Sequence, residues 1–468
     1  MHAVKKHSSK KRGPRDLALD LVCDAERPGT RVDDRLRALE SRTGLNSKDR
    51  AFVRELTFGT LRWRGKLDGA LCRHLSESAD KLPPVVRNIL RLGAYQLLLT
   101  ERIPAWAAVD EAVKQVRRRG FGGLAGLVNG VLRGLARSSF PPAGEAPIED
   151  ASSLAVAESH PEWMVRRWVD RLGLDTAVQI CKANNSPGPL SVRVNRRRAT
   201  LEILRDAFQE VGVGFVETSV APDVLSISGG PPVRELPGFR QGWFAVQDEA
   251  AALLGHFLGV GPGERVWDVC AGPGGKAVHI AELMDDDGFV LATDTNVHQL
   301  SRVVENSVRM GIRSICPVLA DAAEPIARNA AFDAVLVDAP CSGLGVLRRH
   351  PEAKWNKKEG DILRLSKLQT KMLEEASQAV RPGGKLVYCV CSNEEEETQR
   401  IITSFEASDE GAEFRRFDLA PCLRGRIDTI KRFIGPDGWF SILPGDAGTD
   451  GFFAARWERR PLKSWSRR

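Results

Sequence analysis

The stretch Asp268-Val269-Cys270-Ala271-Gly272-Pro273-Gly274-Gly275-Lys276 constrains the fold more than any other in the chain. Before it, Arg265-Val266-Trp267 reads as a short buried strand, and after it Ala277 to Met284 reads as a helix. A glycine loop between a strand and a helix lets backbone N–H groups and a helix N-terminus approach a ligand closely, as in doubly wound sheets. Eighteen residues beyond Lys276, the apolar run Phe289–Thr293 ends at Asp294, where such sheets place an acid on ribose hydroxyls. The plain alternative is a tight strand-to-helix turn. With Asp294 in place, the expectation is a nucleoside-type cofactor. A phosphate-binding loop would need glycine where Cys270 stands and Ser or Thr where Ala277 stands. The dinucleotide fingerprint needs a spacing that Gly272, Gly274 and Gly275 do not supply.

From Val246 onward strands and helices alternate, which calls for a mostly parallel sheet with covered faces. Expected strands are 265–269, 289–293, 316–319, 332–337 and 385–390; expected helices are 276–284, 297–310, 364–380 and 394–406. Upstream, apolar residues recur at helical spacing: Phe52, Leu56, Trp63 and Leu67, then Val85, Ile89 and Leu92, then Leu124, Val128, Val131 and Leu135. Gly29, Gly65, Leu82-Pro83-Pro84 and Gly120 separate these segments, giving an all-α domain of about six helices. Between the two lie a helix near Trp163–Leu172, an alternating strand 190–195, a helix 201–211 and a strand 224–227. The expected division is a basic arm 1–15, an all-α domain 16–138, a linker 139–154, a small α+β unit 155–245, an α/β domain 246–460 and a basic tail 461–468.

A net charge of +7 is modest, but the cations cluster: Lys5-Lys6, Lys10-Lys11-Arg12, Arg117–Arg119, Arg196–Arg198, Arg348-Arg349 and the C-terminal arginines. Any one cluster reads as a solvated face; six along one chain read as the footprint of a polyanion. Nine cysteines without C-x-x-C spacing indicate neither a disulfide framework nor a metal site. No apolar run approaches the roughly twenty residues of a membrane span, and the N-terminus lacks an apolar signal core. A cytoplasmic chain is expected.

Two cysteines stand out. Phe332–Val337 runs as a buried strand into Asp338-Ala339-Pro340-Cys341-Ser342-Gly343, and Lys385–Val390 runs into Cys391-Ser392-Asn393. Strand ends of one open sheet share a crevice. Cys341 and Cys391, near acids, therefore read as functional thiols. Cys23, Cys72, Cys181, Cys316 and Cys422 read as buried fillers, and Cys389 as structural and facing away from Cys391.

These motifs, with Val246–Ala250 and Arg349-His350-Pro351-Glu352-Ala353-Lys354-Trp355, resemble the Sun family of RNA 5-methylcytosine methyltransferases. Arg50–Gly59, Leu92–Leu98 and Leu127–Arg133 resemble the NusB-type helical RNA-binding domain. The resemblance spans nearly the whole chain. It implies a NusB-like domain, an RRM-like α+β unit and a Rossmann-like class I methyltransferase domain. It also implies S-adenosylmethionine as cofactor and a cytosine of small-subunit (16S) ribosomal RNA as target, in free RNA or in an assembling subunit, for a monomeric enzyme. By motif matching Cys391 is the nucleophile, Cys341 assists product release, and Asp338 and Lys276 complete the catalytic set. Cys270, Ala271, Gly272, Pro273, Gly274, Gly275, Lys276, Asp294, Asp321 and Asp338 line the cofactor site. Arg193 and Arg196–Arg198 are expected on the RNA backbone. Val390 stands where the family usually has Thr, and Gly272 where it usually has Ala. Three other readings remain open: a DNA cytosine methyltransferase with Cys341 as nucleophile, a non-catalytic RNA-binding or antitermination factor, and the same chemistry on transfer or large-subunit ribosomal RNA.

Overall fold

The computed structural model describes residues 12–27, 29–138, 147–218, 220–324, 331–423 and 430–461. Most of the expected arm and tail, and 139–146 of the expected linker, lie outside the described residues. The chain divides into two compact units, Met1–Ser186 with His350–Asn356, and Pro187–Arg349 with Lys357–Arg468.

The first unit contains α1 (Pro14–Ala25), α2 (Val32–Thr43), α3 (Ser47–Arg62), α4 (Arg64–Cys72), α5 (Pro84–Leu98), α6 (Ala105–Arg118), α7 (Ala125–Arg137), α8 (Ala151–Ala157), α9 (Glu162–Leu172) and α10 (Leu174–Asn185). Local chemistry sets several ends. Pro14 and Pro84 start helices at a position that needs no N–H, and Asn46 caps α3 by accepting from the Asp49 amide at 2.8 Å. Leu56, Leu67, Ile89, Leu92, Val128, Val131 and Leu135 lie in the shared core as the helical spacing anticipated, joined by Val53 and Leu132, which it did not single out. Seven α-helices, rather than about six, lie between Pro14 and Arg137 among the described residues. Gly65 is not a separator: the break falls at Trp63, and Gly65 sits in the first turn of α4.

The second unit begins with β1 (Leu190–Val194), α11 (Leu201–Glu210), β2 (Gly214–Glu217), β3 (Val224–Ser228) and β4 (Phe244–Val246). These strands form an antiparallel sheet in the order β2-β3-β1-β4, over a core of Val192, Val194, Phe208, Leu225 and Phe244. β2 is mostly exposed and β4 only three residues long, so neither left an alternating signature in the sequence.

Then follow α12 (Glu249–Leu258), β5 (Arg265–Asp268), α13 (Gly275–Leu283), β6 (Phe289–Asp294), α14 (Val297–Met310), β7 (Ile315–Leu319), β8 (Phe332–Asp338), α15 (Ala353–Asn356, in the segment belonging to the first unit), α16 (Glu359–Ser377), β9 (Val380–Val390), α17 (Gln399–Glu406), β10 (Phe414–Phe417), β11 (Phe440–Ile442) and β12 (Phe452–Arg459). The sheet order is β10-β12-β9-β8-β5-β6-β7, with β11 on β12. Neighbours from β9 to β7 are parallel, whereas β12 runs antiparallel to β9 and carries β10 and β11 antiparallel in turn. The sheet is thus mixed. The antiparallel flank was not anticipated because β12 is buried through six consecutive residues and shows no alternation. The expected helix 394–406 starts as a 3-10 turn, Glu395–Glu397, before α17. The chain leaves β5 and β8 in opposite lateral directions, so the crevice between their carboxyl ends is the switch point at which open sheets hold ligands.

Within the first unit, the segment His350–Asn356 is anchored by its own polar groups. Lys354 is fully buried, with Nζ donating to Asn185 Oδ1 (2.7 Å), the Arg62 carbonyl (3.3 Å) and the Ser159 carbonyl (3.4 Å). Burial pushes its pKa down to about 7. Trp355 Nε1 donates to the Leu61 carbonyl at 2.7 Å. A Cβ on Gly65 would stand 3.0 Å from the Trp355 ring, so the bare backbone there makes room for it.

Candidate active site

The glycine loop leaves β5 and is held by the end of β6. Thr293 Oγ1 donates to the Val269 carbonyl at 2.8 Å, and the Ala271 amide donates to the Thr293 carbonyl at 2.8 Å. Asp294, closing β6, accepts from the Gly272 amide at 3.1 Å and the Asn296 amide at 2.8 Å. Asn306 of α14 donates to the Pro273 carbonyl at 3.0 Å. Gly274 has φ +98°, a left-handed conformation that glycine adopts without strain, and the chain turns there into α13.

Carboxylates surround this loop. Burial first, then the charges of Asp338, Asp268, Asp294 and Asp321, push the Cys270 thiol far up. Asp268 is fully buried, and burial followed by Asp338's charge raises its pKa to about 7, against the pull of Lys276 and the Cys270 amide. A crevice with this charge repels a polyphosphate and suits a cationic ligand bearing hydroxyls. Asp321 is exposed, its Oδ1 accepting from the Ala323 amide at 2.9 Å.

Lys276, in the first turn of α13, reaches Asp338 at the end of β8, with Nζ 2.5 Å from Oδ2. Burial disfavours the ammonium, but Asp338 outweighs it and holds the Lys276 pKa above its ordinary value. The other oxygen of Asp338 accepts from the Cys389 thiol at 3.4 Å. The register puts Cys389 opposite Asp338, on the β9 neighbour of β8. Cys389 was expected to face away from Cys391. Residues two apart share a strand face, and both cysteines pack against the same apolar cluster.

Beyond the strand ends, Cys341 Sγ and Cys391 Sγ lie 3.3 Å apart, both half-buried. The Cys391 thiol is lowered, chiefly by the hydrogen bond from Cys341 and further by Lys276, against burial, Asp338 and Glu397. Cys341 is raised by the same hydrogen bond and by burial. The two sulfurs are within hydrogen-bond distance, and Lys276 favours the ionised form of Cys391. All the residues expected in the catalytic set therefore converge: Lys276, Asp338, Cys341 and Cys391.

Behind the thiols is a polar cluster that sequence reasoning missed. Glu397, fully buried, accepts from the Ser342 amide (2.7 Å), Ser342 Oγ (2.5 Å) and Gln369 Nε2 (3.1 Å). The only sequence signal was the Cys-Ser pair repeated at both strand ends, since Glu394–Glu397 stands simply at the start of the expected helix 394–406.

Cations counted toward the polyanion footprint at two places are structural instead. Arg193 is 2% exposed and pairs with Glu282 and Gln247. Arg348 is 5% exposed and pairs with Asp450, while Arg349 bridges Asp450 and Asp248. Among the described residues no group of His, Cys, Asp and Glu is arranged to hold a metal ion, and no helix is long and apolar enough to cross a membrane.

Comparison with known proteins agrees with this geometry. Residues 256–458 match the family model described as 16S rRNA methyltransferase RsmB/F. Residues 12–137 match the NusB family, and residues 160–234 the ferredoxin-like domain of RsmF/B-like methyltransferases. A probable ribosomal RNA small subunit methyltransferase B of Bacillus subtilis (strain 168) is 35% identical over 95% of this chain and 98% of its own length. The ribosomal RNA small subunit methyltransferase B of Citrobacter koseri is 35% identical over 85% of this chain and 90% of its own. The crystal structure of PH0851 superposes with a TM-score of 0.79 at 25% identity, covering 96% of this chain and all of that one. With a methyltransferase sheet, an N-terminal NusB-type helical domain and this likeness over nearly its full length, the chain belongs to the ribosomal RNA small subunit methyltransferase B family.

Proposed function

We propose that the protein methylates carbon 5 of one cytosine in small-subunit (16S) ribosomal RNA, acting as a cytoplasmic monomer through a covalent cysteine–cytosine intermediate. The observation that carries this reading is the thiol pair Cys341–Cys391, 3.3 Å apart beside Lys276 and Asp338 at the switch point of the sheet. The names of the relatives support the substrate class.

Carbon 5 of cytosine is a poor nucleophile. A thiolate adding at carbon 6 breaks the ring's aromaticity and makes carbon 5 enamine-like, splitting one hard step into easier ones. Cys391 takes this role, because the Cys341 sulfur 3.3 Å away and the Lys276 cation both favour its ionised form. S-adenosylmethionine, when bound by Cys270–Lys276, Asp294, Asp321 and Asp338, supplies an electrophilic methyl group. Asp338, fixed by Lys276 and Cys389, accepts from the cytosine edge. Cys341 assists the elimination in which the carbon 5 proton leaves and the bond from Cys391 to carbon 6 breaks. The target base must be unpaired or flipped to reach the thiols. Arg196, exposed beside the small sheet, contributes to the grip on the RNA backbone.

The test is methyl transfer from labelled S-adenosylmethionine to unmodified small-subunit ribosomal RNA, with transfer RNA and duplex DNA alongside. Label on the ribosomal RNA, abolished by Cys391→Ala, is the expected result, with Cys341→Ala accumulating a covalent RNA adduct. Transfer that survives Cys391→Ala and is lost with Cys341→Ala would move the nucleophile to the Pro-Cys motif. No label on any substrate, with tight RNA binding retained, would leave an RNA-binding scaffold.

A further inference from the structure

The cluster behind the thiols has a direction. Glu397 accepts at both oxygens, from the Ser342 amide and Gln369 on Oε1 and from Ser342 Oγ on Oε2. Its carbonyl accepts from the Tyr388 hydroxyl at 2.7 Å, and Gln369 also donates to the Pro340 carbonyl at 3.0 Å. The single proton of the Ser342 hydroxyl is committed to the carboxylate. Ser392, whose Oγ lies 3.1 Å from Ser342 Oγ, must therefore be the donor between the two serines. Ser392 Oγ in turn accepts from the Glu394 amide at 3.2 Å. The order is fixed: Glu394 amide to Ser392, Ser392 to Ser342, Ser342 to Glu397.

Each serine is the chain neighbour of one thiol. Past Asp338 and Cys389 the ladder between β8 and β9 ends, apart from the Ala339 amide donating to the Cys389 carbonyl at 3.1 Å. From there the hydroxyl chain, together with the Gly345 amide donating to the Cys391 carbonyl at 3.1 Å, ties one cysteine loop to the other. A buried carboxylate is tolerated only when its lone pairs are filled, and this one is filled largely by the Cys341 loop.

We propose that Glu397, through Ser342 and Ser392, is the positioning residue that sets the separation of the two thiols. The inference rests on the reading that both cysteines take part in the reaction. Glu397 has a second, electrostatic effect, since its charge opposes ionisation of both thiols. Glu397→Gln therefore moves two observables in opposite directions: the thiols ionise at lower pH, yet meet less often.

The experiment uses the full chain without RNA. Diamide oxidises the pair, the two thiol hydrogens passing to its N=N bond as one S–S bond forms, and tandem mass spectrometry places the crosslink. Closure from 3.3 Å to a disulfide length of about 2 Å needs little movement in the wild type. Glu397→Gln should close the Cys341–Cys391 bridge about tenfold more slowly, the size of one lost hydrogen bond to a charged group. Methyl transfer should fall in kcat with little change in KM for S-adenosylmethionine, while the acid limb of its pH profile moves to lower pH. Wild-type crosslinking and an unmoved pH profile would overturn the proposal. If Glu397→Gln fails to fold by circular dichroism, Ser342→Ala carries the crosslink test, because two N–H donors still hold the carboxylate. A wild-type crosslinking rate there is equally fatal. A wild type that crosslinks but methylates no RNA would refute the proposed function and leave the spacing role standing.

Discussion

Arg193 offers a test of whether a cation in the small sheet is a strut or an RNA contact. Its guanidinium pairs with Glu282 of α13 through Nη1 and Nη2 and donates to Gln247 Oε1 at 2.6 Å. Arg193 is 2% exposed and Glu282 8% exposed. Arg193→Met keeps most of the stem volume and leaves Glu282 buried without its counter-ion. Removing one partner of a buried pair costs about 3–5 kcal/mol, equivalent to a melting shift of roughly 6–20 °C for a unit of this size. The cost depends on pH. Burial already raises Glu282's pKa, with Arg193 holding it down, so losing Arg193 raises it further. Between the unfolded carboxyl pKa of about 4.3 and that raised value, the folded state binds more protons than the unfolded one. Stability of the variant therefore falls as pH rises through this window, and the deficit is larger at pH 8 than at pH 5. Urea unfolding at both pH values measures it. The double variant Arg193→Met/Glu282→Leu should recover most of the loss, because an apolar pair replaces an ion pair at little cost. An Arg193→Met protein within about 1 kcal/mol of wild type, but weakened in RNA binding, would refute the strut and restore the RNA contact.

Two further outcomes follow from the site. Lys276→Met removes the cation that favours the Cys391 thiolate, so the acid limb of the methyl-transfer pH profile should move to higher pH, opposite to Glu397→Gln; an unmoved limb in a folded variant would show that Lys276 does not set the thiol's ionisation. Gly345→Ala places a Cβ 2.3 Å from the Gly451 carbonyl oxygen and 3.0 Å from that of Cys391, both backbone atoms. Overpacking of this kind costs about 1–3 kcal/mol, and it should displace the Cys391 loop, lowering kcat while the overall fold persists. Wild-type turnover in Gly345→Ala would show that the loop yields without disturbing the thiol.

What was legible in the sequence was whatever period and punctuation encode. The glycine loop, the strands that end at Asp294, Asp338 and Val390, and the helical spacing of Leu56, Ile89 and Val128 each carry a local signature of burial or turning. Convergence of Lys276, Asp338, Cys341 and Cys391 followed because parallel strands bring their carboxyl ends to one side. What escaped were residues whose role depends on a partner far along the chain. β12 alternates nowhere because it is buried on both faces. Cationic character alone did not distinguish Arg193, buried against a carboxylate 89 residues away, from Arg196, which pairs with Asp223 but stays largely exposed.

Glu397 is the sharpest case, because composition argued against its real environment. Four consecutive glutamates, Glu394 to Glu397, open the expected helix 394–406, yet Glu394 and Glu397 are buried and the 3-10 turn of Glu395–Glu397 brings the last carboxylate under the Cys341 loop. A 3-10 turn repeats every three residues, so it aligns Glu394 and Glu397 inward and leaves Glu395 outward with Arg400. The information was in the spacing of the acids rather than in their number. A charge run that begins at the end of a buried strand has one flank already inside the protein, so its first and fourth members are candidates for burial wherever the adjoining loop offers donors. Here the donors come from the residue after Cys341, and the same chemistry that makes a buried carboxylate costly makes it an effective tether for the loops that satisfy it.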